Sequence, residues 1–135
     1  MGKTYTSILI VDDDIDDAEM FRDALHHVDA SVQCTFSKDG VAALKLLETC
    51  PQEDLPDLII LDMNMPRMNG KQCLLKLKAN RTLTDIPVIM YSTSQLKEDV
   101  DQTRQMGAMN FITKPSKFSE LVVIATRILE GRCVF

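Results

Sequence analysis

The most constraining feature of this sequence is the regular alternation of short apolar runs with longer segments of helical period. Such alternation is typical of a parallel sheet that is covered by helices on both faces. The sequence therefore predicts an α/β fold, a doubly wound parallel sheet of five strands with five helices. The predicted strands cover residues 7–11, 33–37, 58–61, 88–91 and 110–113, and the predicted helices cover residues 16–27, 41–49, 71–79, 96–106 and 118–130.

Chain length and charge exclude several classes of protein. The 135 residues match the size of one domain, so we expect a single domain over 1–135. Fifteen basic and 20 acidic residues give a net charge of −5, which argues against direct binding to nucleic acid or to anionic membranes. The apolar runs are far shorter than the ~20 residues of a membrane helix, and the N-terminus lacks a signal-peptide pattern. We therefore expect a cytoplasmic protein.

The cysteines give no sign of a metal site. They stand at positions 34, 50, 73 and 133, without a Cys-x-x-Cys pair or a neighbouring histidine. We expect reduced thiols, with Cys34 and Cys73 on apolar faces and Cys133 in the C-terminal tail.

Polar residues follow the predicted strands at the points where the strands end. Asp12 and Asp13 follow the first strand, Asp62 the third, Ser92 the fourth and Lys114 the fifth. Ligands of open α/β sheets bind beyond the carboxyl ends of the strands, so we expect these side chains to meet. Three adjacent carboxylates repel one another, and Mg²⁺ is the cation that suits such oxygen ligands. A carboxylate beside Mg²⁺, a lysine and a hydroxyl is equipped to receive a phosphoryl group, with Asp62 as the nucleophile.

The remaining acidic residues of this region have a simpler interpretation. Asp14, Asp16 and Asp17 lie at the predicted start of the first helix, where negative charge interacts favourably with the helix dipole. We predict that these three side chains form a solvated helix start and take no part in the site.

In combination and in order, these residues identify a family: from Ser7 to Leu129 the chain resembles the receiver domain of bacterial two-component response regulators, in its single-domain, chemotaxis-regulator-like form. The matching segments are 8–13 (ILIVDD), Asp39-Gly40 with Ala43-Leu44, 61–66 (LDMNMP) with Gly70, 86–89 (IPVI) before Ser92, and Gly107-Ala108 before Lys114-Pro115. The resemblance implies a flavodoxin-like sheet with strand order 2-1-3-4-5.

The resemblance also implies a role for each acidic residue. Asp62 would become an aspartyl phosphate. Asp13 and Asp62 would bind Mg²⁺ directly, together with the backbone carbonyl of Asn64. Asp12 would act mainly through metal-bound water.

Further roles follow for the last two strands. Lys114 would pair with phosphoryl oxygens, and the Lys114-Pro115 bond would be cis, as X-Pro bonds allow at modest cost. Ser92 would bind the phosphoryl group and Phe111 would change its rotamer with Ser92. Ser92 replaces the more usual threonine and Phe111 the frequent tyrosine, and neither change removes the chemistry.

The implied function is a phosphorylation-controlled switch rather than an enzyme. A sensor histidine kinase or a histidine phosphotransfer protein would supply the phosphoryl group. An unknown downstream protein would bind the face made by the fourth helix, fifth strand and fifth helix, with no attached output domain. We expect a monomer or a weak homodimer.

Two other functions stay open at this point. An aspartyl phosphohydrolase would use a similar site, but it needs a second aspartate where this chain has Asn64, which cannot transfer a proton. A receiver-like scaffold that is never phosphorylated should lack one of Asp13, Asp62 or Lys114, and all three are present.

Overall fold

A computed structural model describes residues 5–131, and these residues form the predicted α/β fold. The strands are β1 (Ser7–Val11), β2 (Gln33–Ser37), β3 (Leu58–Asp62), β4 (Val88–Ser92) and β5 (Asn110–Thr113). The helices are α1 (Ile15–Val28), α2 (Gly40–Thr49), α3 (Gly70–Ala79), α4 (Lys97–Gln105) and α5 (Phe118–Leu129). All five predicted strands and all five predicted helices are thereby confirmed.

The five strands form one parallel sheet in the order β2-β1-β3-β4-β5, as the resemblance implied. Every residue of β3 is buried, because helices cover both faces of the sheet. The order reverses direction between β1 and β3. In such sheets the carboxyl ends of the strands on either side of this point border the crevice where ligands bind.

The helices divide between the two faces of the sheet. On one face, Phe21 of α1 and Leu121 of α5 pack in a common apolar cluster. On the other face, Leu47 of α2 and Leu77 of α3 pack in a second cluster, which Val100 of α4 borders. The sheet is therefore doubly wound, with one apolar cluster on each face.

The structure corrects several boundaries. β3 and β4 are each one residue longer than predicted, so that Asp62 and Ser92 are the last residues of their strands. A short 3₁₀ turn over Gln52–Asp54, which the sequence analysis did not predict, leads into β3. Helix α1 begins at Ile15 because the Asp14 carboxylate accepts hydrogen bonds from the first-turn N–H groups.

The loop between β3 and α3 is held close to the end of β3. The Gly70 N–H donates to the carbonyl oxygen of Met63 (2.8 Å). A Cβ at Gly70 would collide with the backbone carbonyl oxygen of Asp62 and would lie 2.7 Å from the Met63 Cα, so only glycine allows this approach. Within the same loop Arg67 adopts a positive φ of 66°, and its guanidinium binds the Asp39 carboxylate at 2.7 Å.

The prediction of a cis Lys114-Pro115 bond is wrong. Residues 5–131 contain no cis peptide bond. The trans form of an X-Pro bond is favoured by about 0.5–1 kcal/mol. In this trans conformation the Lys114 N–H donates to the Ser92 carbonyl oxygen at 2.7 Å, which continues the pairing of β4 with β5 by one residue.

The cysteine predictions are confirmed where the structure describes them. Cys34, Cys50 and Cys73 are free thiols, and burial raises the pKa of Cys34 and of Cys73 to about 11. Cys133 lies outside the described residues. Over residues 5–131 we find no helix with the length and apolar character needed to cross a bilayer.

Candidate functional site

Three aspartates meet at the carboxyl ends of β1 and β3. Val11 lies opposite Leu61 in the sheet, so the next residues, Asp12 and Asp62, are neighbours across the two strands. Asp12 is 5% exposed and Asp62 is 4% exposed, whereas the adjacent Asp13 is open to solvent. One carboxylate oxygen from each of Asp12, Asp13 and Asp62 lies within 4.8 Å of the other two. We call these three residues the acidic triad.

The acidic triad holds more negative charge than its surroundings neutralise. Burial, together with the nearby charge of Asp12, raises the pKa of Asp62 to about 7, against the opposing effects of Lys114 and of a hydrogen bond from the Asn64 N–H. Burial likewise raises the pKa of Asp12. These carboxylates offer only oxygen ligands, which hard divalent cations prefer. A bound divalent cation would also stabilise their charged forms, which are otherwise costly in a buried site.

Lys114 supplies the positive charge nearest to the triad. Its ammonium Nζ lies 3.0 Å from Asp12 Oδ2, 2.9 Å from Asp17 Oδ2 and 3.6 Å from Asp62 Oδ1. Burial alone would lower the pKa of Lys114, but the hydrogen bonds to Asp17 and Asp12 hold it above its usual value. The lysine is therefore charged, and it is bound more closely to Asp12 and Asp17 than to Asp62.

The structure corrects the prediction that Asp17 belongs to a solvated helix start. Its carboxylate is one of the two groups that bind Lys114. Asp17 stands four residues after Asp13, so one turn of α1 brings it back toward the strand ends. Asp14 and Asp16 behave as predicted: both are exposed, and Asp14 caps the helix by accepting hydrogen bonds from the N–H groups of Asp16 and Asp17.

A second residue that the sequence analysis missed is Tyr91, the neighbour of Asp62 on β4. The Lys114 Nζ lies 5.3 Å from the centre of its ring, a cation–π distance. The ring also meets Phe21 of α1 edge to face at 4.8 Å. Tyr91 is 1% exposed, and its buried ring closes one side of the ammonium group.

Ser92 lies at the end of β4 and is completely buried. Its hydroxyl oxygen accepts a hydrogen bond from the Ser94 N–H at 3.0 Å. The Ser94 hydroxyl donates in turn to Asp99 of α4 at 2.7 Å, and the other oxygen of that carboxylate binds the Lys71 ammonium of α3 at 2.8 Å. A continuous polar chain therefore runs from Ser92 to two helices. We call Ser94, Asp99 and Lys71 the polar relay.

Phe111 lies on β5 with its ring directed to the opposite face of the sheet from Tyr91. It is opposite Met90 in the register, and it packs in the apolar cluster that contains Met63 and Met65 of the loop after Asp62. At 8% exposure the ring is in its buried position. Of the residues predicted for the site, Asp12, Asp13, Asp62 and Lys114 thus form one contact group, while Ser92 and Phe111 border it.

The charge imbalance of the triad leads to a prediction about stability. In buffer without divalent cations, Asp62→Asn should raise the free energy of unfolding at pH 8 by more than about 1 kcal/mol, since a one-unit pKa difference corresponds to about 1.4 kcal/mol. The folded-state pKa of about 7 exceeds the ordinary 3.8, so the penalty of the charged carboxylate is absent below pH 3.8 and complete above about pH 7. Urea unfolding across this pH range measures the difference.

Asp16→Asn is the matched control, because it removes the same charge from an exposed position and should gain no stability. An Asp62→Asn protein that was less stable than wild type at pH 8 would contradict the burial of excess negative charge at the triad.

The comparisons with known proteins agree with this geometry. The family model described as "Response regulator receiver domain" matches residues 8–126. The polar-differentiation response regulator DivK of Brucella ovis is 34% identical over 109 residues, which cover 81% of this chain and 84% of DivK. The chain spans about half the length of several other curated relatives, at 28–37% identity.

Two solved structures resemble the whole described fold. The phosphorylated cyanobacterial phytochrome response regulator RcpA is 29% identical with a TM-score of 0.82, and the match covers 93% of this chain and 91% of that one. The Mn²⁺-bound form of the response regulator Rcp1 is 26% identical with a TM-score of 0.82, over 96% of this chain and 99% of that one. With its strand order, its strand-end aspartates and the family match over nearly its whole length, this chain belongs to the response regulator receiver domains of two-component signalling.

Proposed function

We propose that this receiver domain accepts a phosphoryl group on Asp62 from a histidine kinase or a histidine phosphotransfer protein, and that phosphorylation switches a protein-interaction surface. The observation that carries this proposal is the position of Asp62. Its carboxylate is buried beside two further carboxylates and lies 3.6 Å from the ammonium of Lys114. The related response regulator RcpA, which has the same fold, has been crystallised in a phosphorylated form.

We assign Mg²⁺ to the acidic triad. Asp13, Asp62 and the backbone carbonyl of Asn64 would bind it directly, and Asp12 would bind it through water. When bound, it would supply positive charge next to the oxygens of the transferring phosphoryl group. The excess negative charge of the triad supports this assignment, and so does the Mn²⁺ in the related Rcp1 structure, because both ions prefer oxygen ligands.

The chain itself provides the nucleophile and a second positive charge. An oxygen of the Asp62 carboxylate attacks the phosphorus, the phosphorus–nitrogen bond of the donor phosphohistidine breaks, and the imidazole nitrogen leaves with the electron pair. The Lys114 ammonium stabilises the charge on the phosphoryl oxygens. Slow attack of water on the phosphorus then breaks its bond to the Asp62 oxygen, which releases inorganic phosphate and returns the free carboxylate.

The polar relay explains how the phosphoryl group would be sensed. The Ser92 hydroxyl oxygen accepts a hydrogen bond from the Ser94 N–H. If this hydroxyl turned toward a phosphoryl group on Asp62, that hydrogen bond would break. Ser94 also holds Asp99 of α4, so the change reaches that helix directly. Phe111 packs against the loop that follows Asp62, and its ring would move with Ser92. Phosphorylation would then favour a second arrangement of α4 and β5 through these differential contacts.

The surface formed by α4, β5 and α5 is suited to read this change. Leu96, just before α4, and Val123 of α5 are large apolar side chains with 63% and 52% exposure, so this surface offers apolar contacts to a partner. Val123 also lines a cavity of about 620 Å³, together with Lys114. A movement of Lys114 toward Asp62 would therefore alter the same surface. Output through a separate protein that binds this surface stays a prediction.

A direct test is incubation with acetyl phosphate followed by intact mass measurement. Wild type should gain one phosphoryl group when Mg²⁺ is present and none when a chelator removes it. Asp62→Asn should gain none, since it lacks the nucleophile, while Asp16→Asn should behave as wild type. Equal labelling of the Asp62→Asn variant would refute the proposal, and rapid turnover of a phosphomonoester would favour a phosphohydrolase.

The relay has its own test. Beryllofluoride with Mg²⁺ mimics a phosphoryl group, and the backbone amide shifts of residues 97–105 report the response of α4. In Ser94→Ala these shifts should change less than in wild type, because the contact with Asp99 is lost. Thr93→Ala is the control: it removes the neighbouring exposed hydroxyl and should respond as wild type. An undiminished response in Ser94→Ala would show that the signal reaches α4 by another route.

A further inference from the structure

Lys114 is bound by two carboxylates, and only one of them belongs to the acidic triad. A lysine ammonium has three N–H donors. Two of them point to Asp12 Oδ2 at 3.0 Å and to Asp17 Oδ2 at 2.9 Å. The distance to Asp62 Oδ1, 3.6 Å, is longer than a hydrogen bond. In this arrangement the lysine is held toward α1 and away from the carboxylate that we propose as the phosphoryl acceptor.

The two carboxylates differ in what a bound cation would do to them. Asp12 is a member of the triad, so a cation there would compete with Lys114 for its charge. Asp17 lies outside the triad, in the first turn of α1. A cation at the triad would not bind Asp17, so its carboxylate would still attract Lys114. Lys114 is only 11% exposed and the Tyr91 ring closes one side of it, whereas Asp17 is 33% exposed, so water screens this ion pair only in part.

We propose that Asp17 is a positioning residue that holds the Lys114 ammonium toward α1 and competes for it with the phosphoryl group on Asp62. This inference rests on the proposed function. Phosphorylation would then transfer Lys114 from Asp17 to the phosphoryl oxygens, and the strength of the Asp17–Lys114 pair would set how strongly the site binds a phosphoryl group.

Two explanations of an Asp17 effect predict different results: a general effect of negative charge at the start of α1, and a direct contact between Asp17 and Lys114. Any acid in the first turn repels an incoming anion through space, and Asp16 and Asp17 both lie there. Asp16 is exposed and adjacent in sequence, so Asp16→Asn removes the same charge from the same helix end. Of these two residues, Asp17 is the one that is bonded to Lys114.

The experiment is a titration with beryllofluoride at saturating Mg²⁺, followed by NMR at the backbone amides of Ser92 and Phe111. Asp17→Asn should bind beryllofluoride about 3- to 10-fold more tightly than Asp16→Asn, the range expected when a partly screened ion pair no longer competes. Equal binding by the two variants, or weaker binding by Asp17→Asn, would overturn the inference.

A second readout needs neither metal nor phosphoryl group. In metal-free protein, the Cε methylene resonance of Lys114 should shift in Asp17→Asn and stay near its wild-type position in Asp16→Asn. An unchanged resonance in Asp17→Asn would also overturn the inference. The two proposals can fail separately. If the Lys114 resonance shifts as expected but wild type accepts no phosphoryl group from acetyl phosphate, the proposed function is overturned and the Asp17–Lys114 contact stands.

Discussion

The site depends on the burial of two aspartates side by side at the carboxyl ends of β1 and β3. Strand β3 is buried along its entire length, and it delivers Asp62 next to Asp12 with almost no access to water. Such carboxylates are costly to ionise. Their charge must be balanced by groups that the fold brings from elsewhere, and Lys114 does this from the end of β5. The same imbalance supports the proposed binding of a divalent cation and, together with it, of a phosphoryl group.

This constraint also explains how one small site can influence a distant surface. The groups around the triad come from separate elements: Lys114 from the end of β5, its second carboxylate partner Asp17 from α1, and the Ser92 hydroxyl from β4. A phosphoryl group on Asp62 would change the favoured position of each of them at once. Through Ser94 and Asp99 the change would reach α4, and through Lys114 it would reach the cavity beside α5. The proposed switch is therefore an electrostatic rearrangement that neighbouring helices would amplify.

Much of this was predictable from the sequence because strand ends are easy to find. Apolar runs that stop at Asp12, Asp62, Ser92 and Lys114 indicated both the fold class and the contact group, since parallel strands bring their carboxyl ends to one edge. Asp17 was missed because an acid in a first helical turn has a sufficient local explanation. Whether it also faces Lys114 depends on the angle at which α1 packs on the sheet, which periodicity does not reveal.

Other contacts depend on three-dimensional positions that are distant in sequence. Lys71 and Asp99 are 28 residues apart, and each looks like an ordinary surface charge until α3 and α4 are placed side by side. Tyr91 has the sequence pattern of a core residue, and its role as a wall behind Lys114 appears only with the register of β4. The predicted cis bond at Pro115 failed for another reason: it came from family resemblance, and nothing in the local sequence required it.

The central claim, that Asp62 is the phosphoryl acceptor, is tested most directly by locating the phosphoryl group. Borohydride reduces an acyl phosphate to the corresponding alcohol, so protein treated with acetyl phosphate and Mg²⁺ and then reduced should carry homoserine in place of aspartate. Peptide sequencing by mass spectrometry should find this change at position 62 and at no other aspartate. Reduction at Asp12, Asp13 or Asp17 instead, or at no position, would contradict the account.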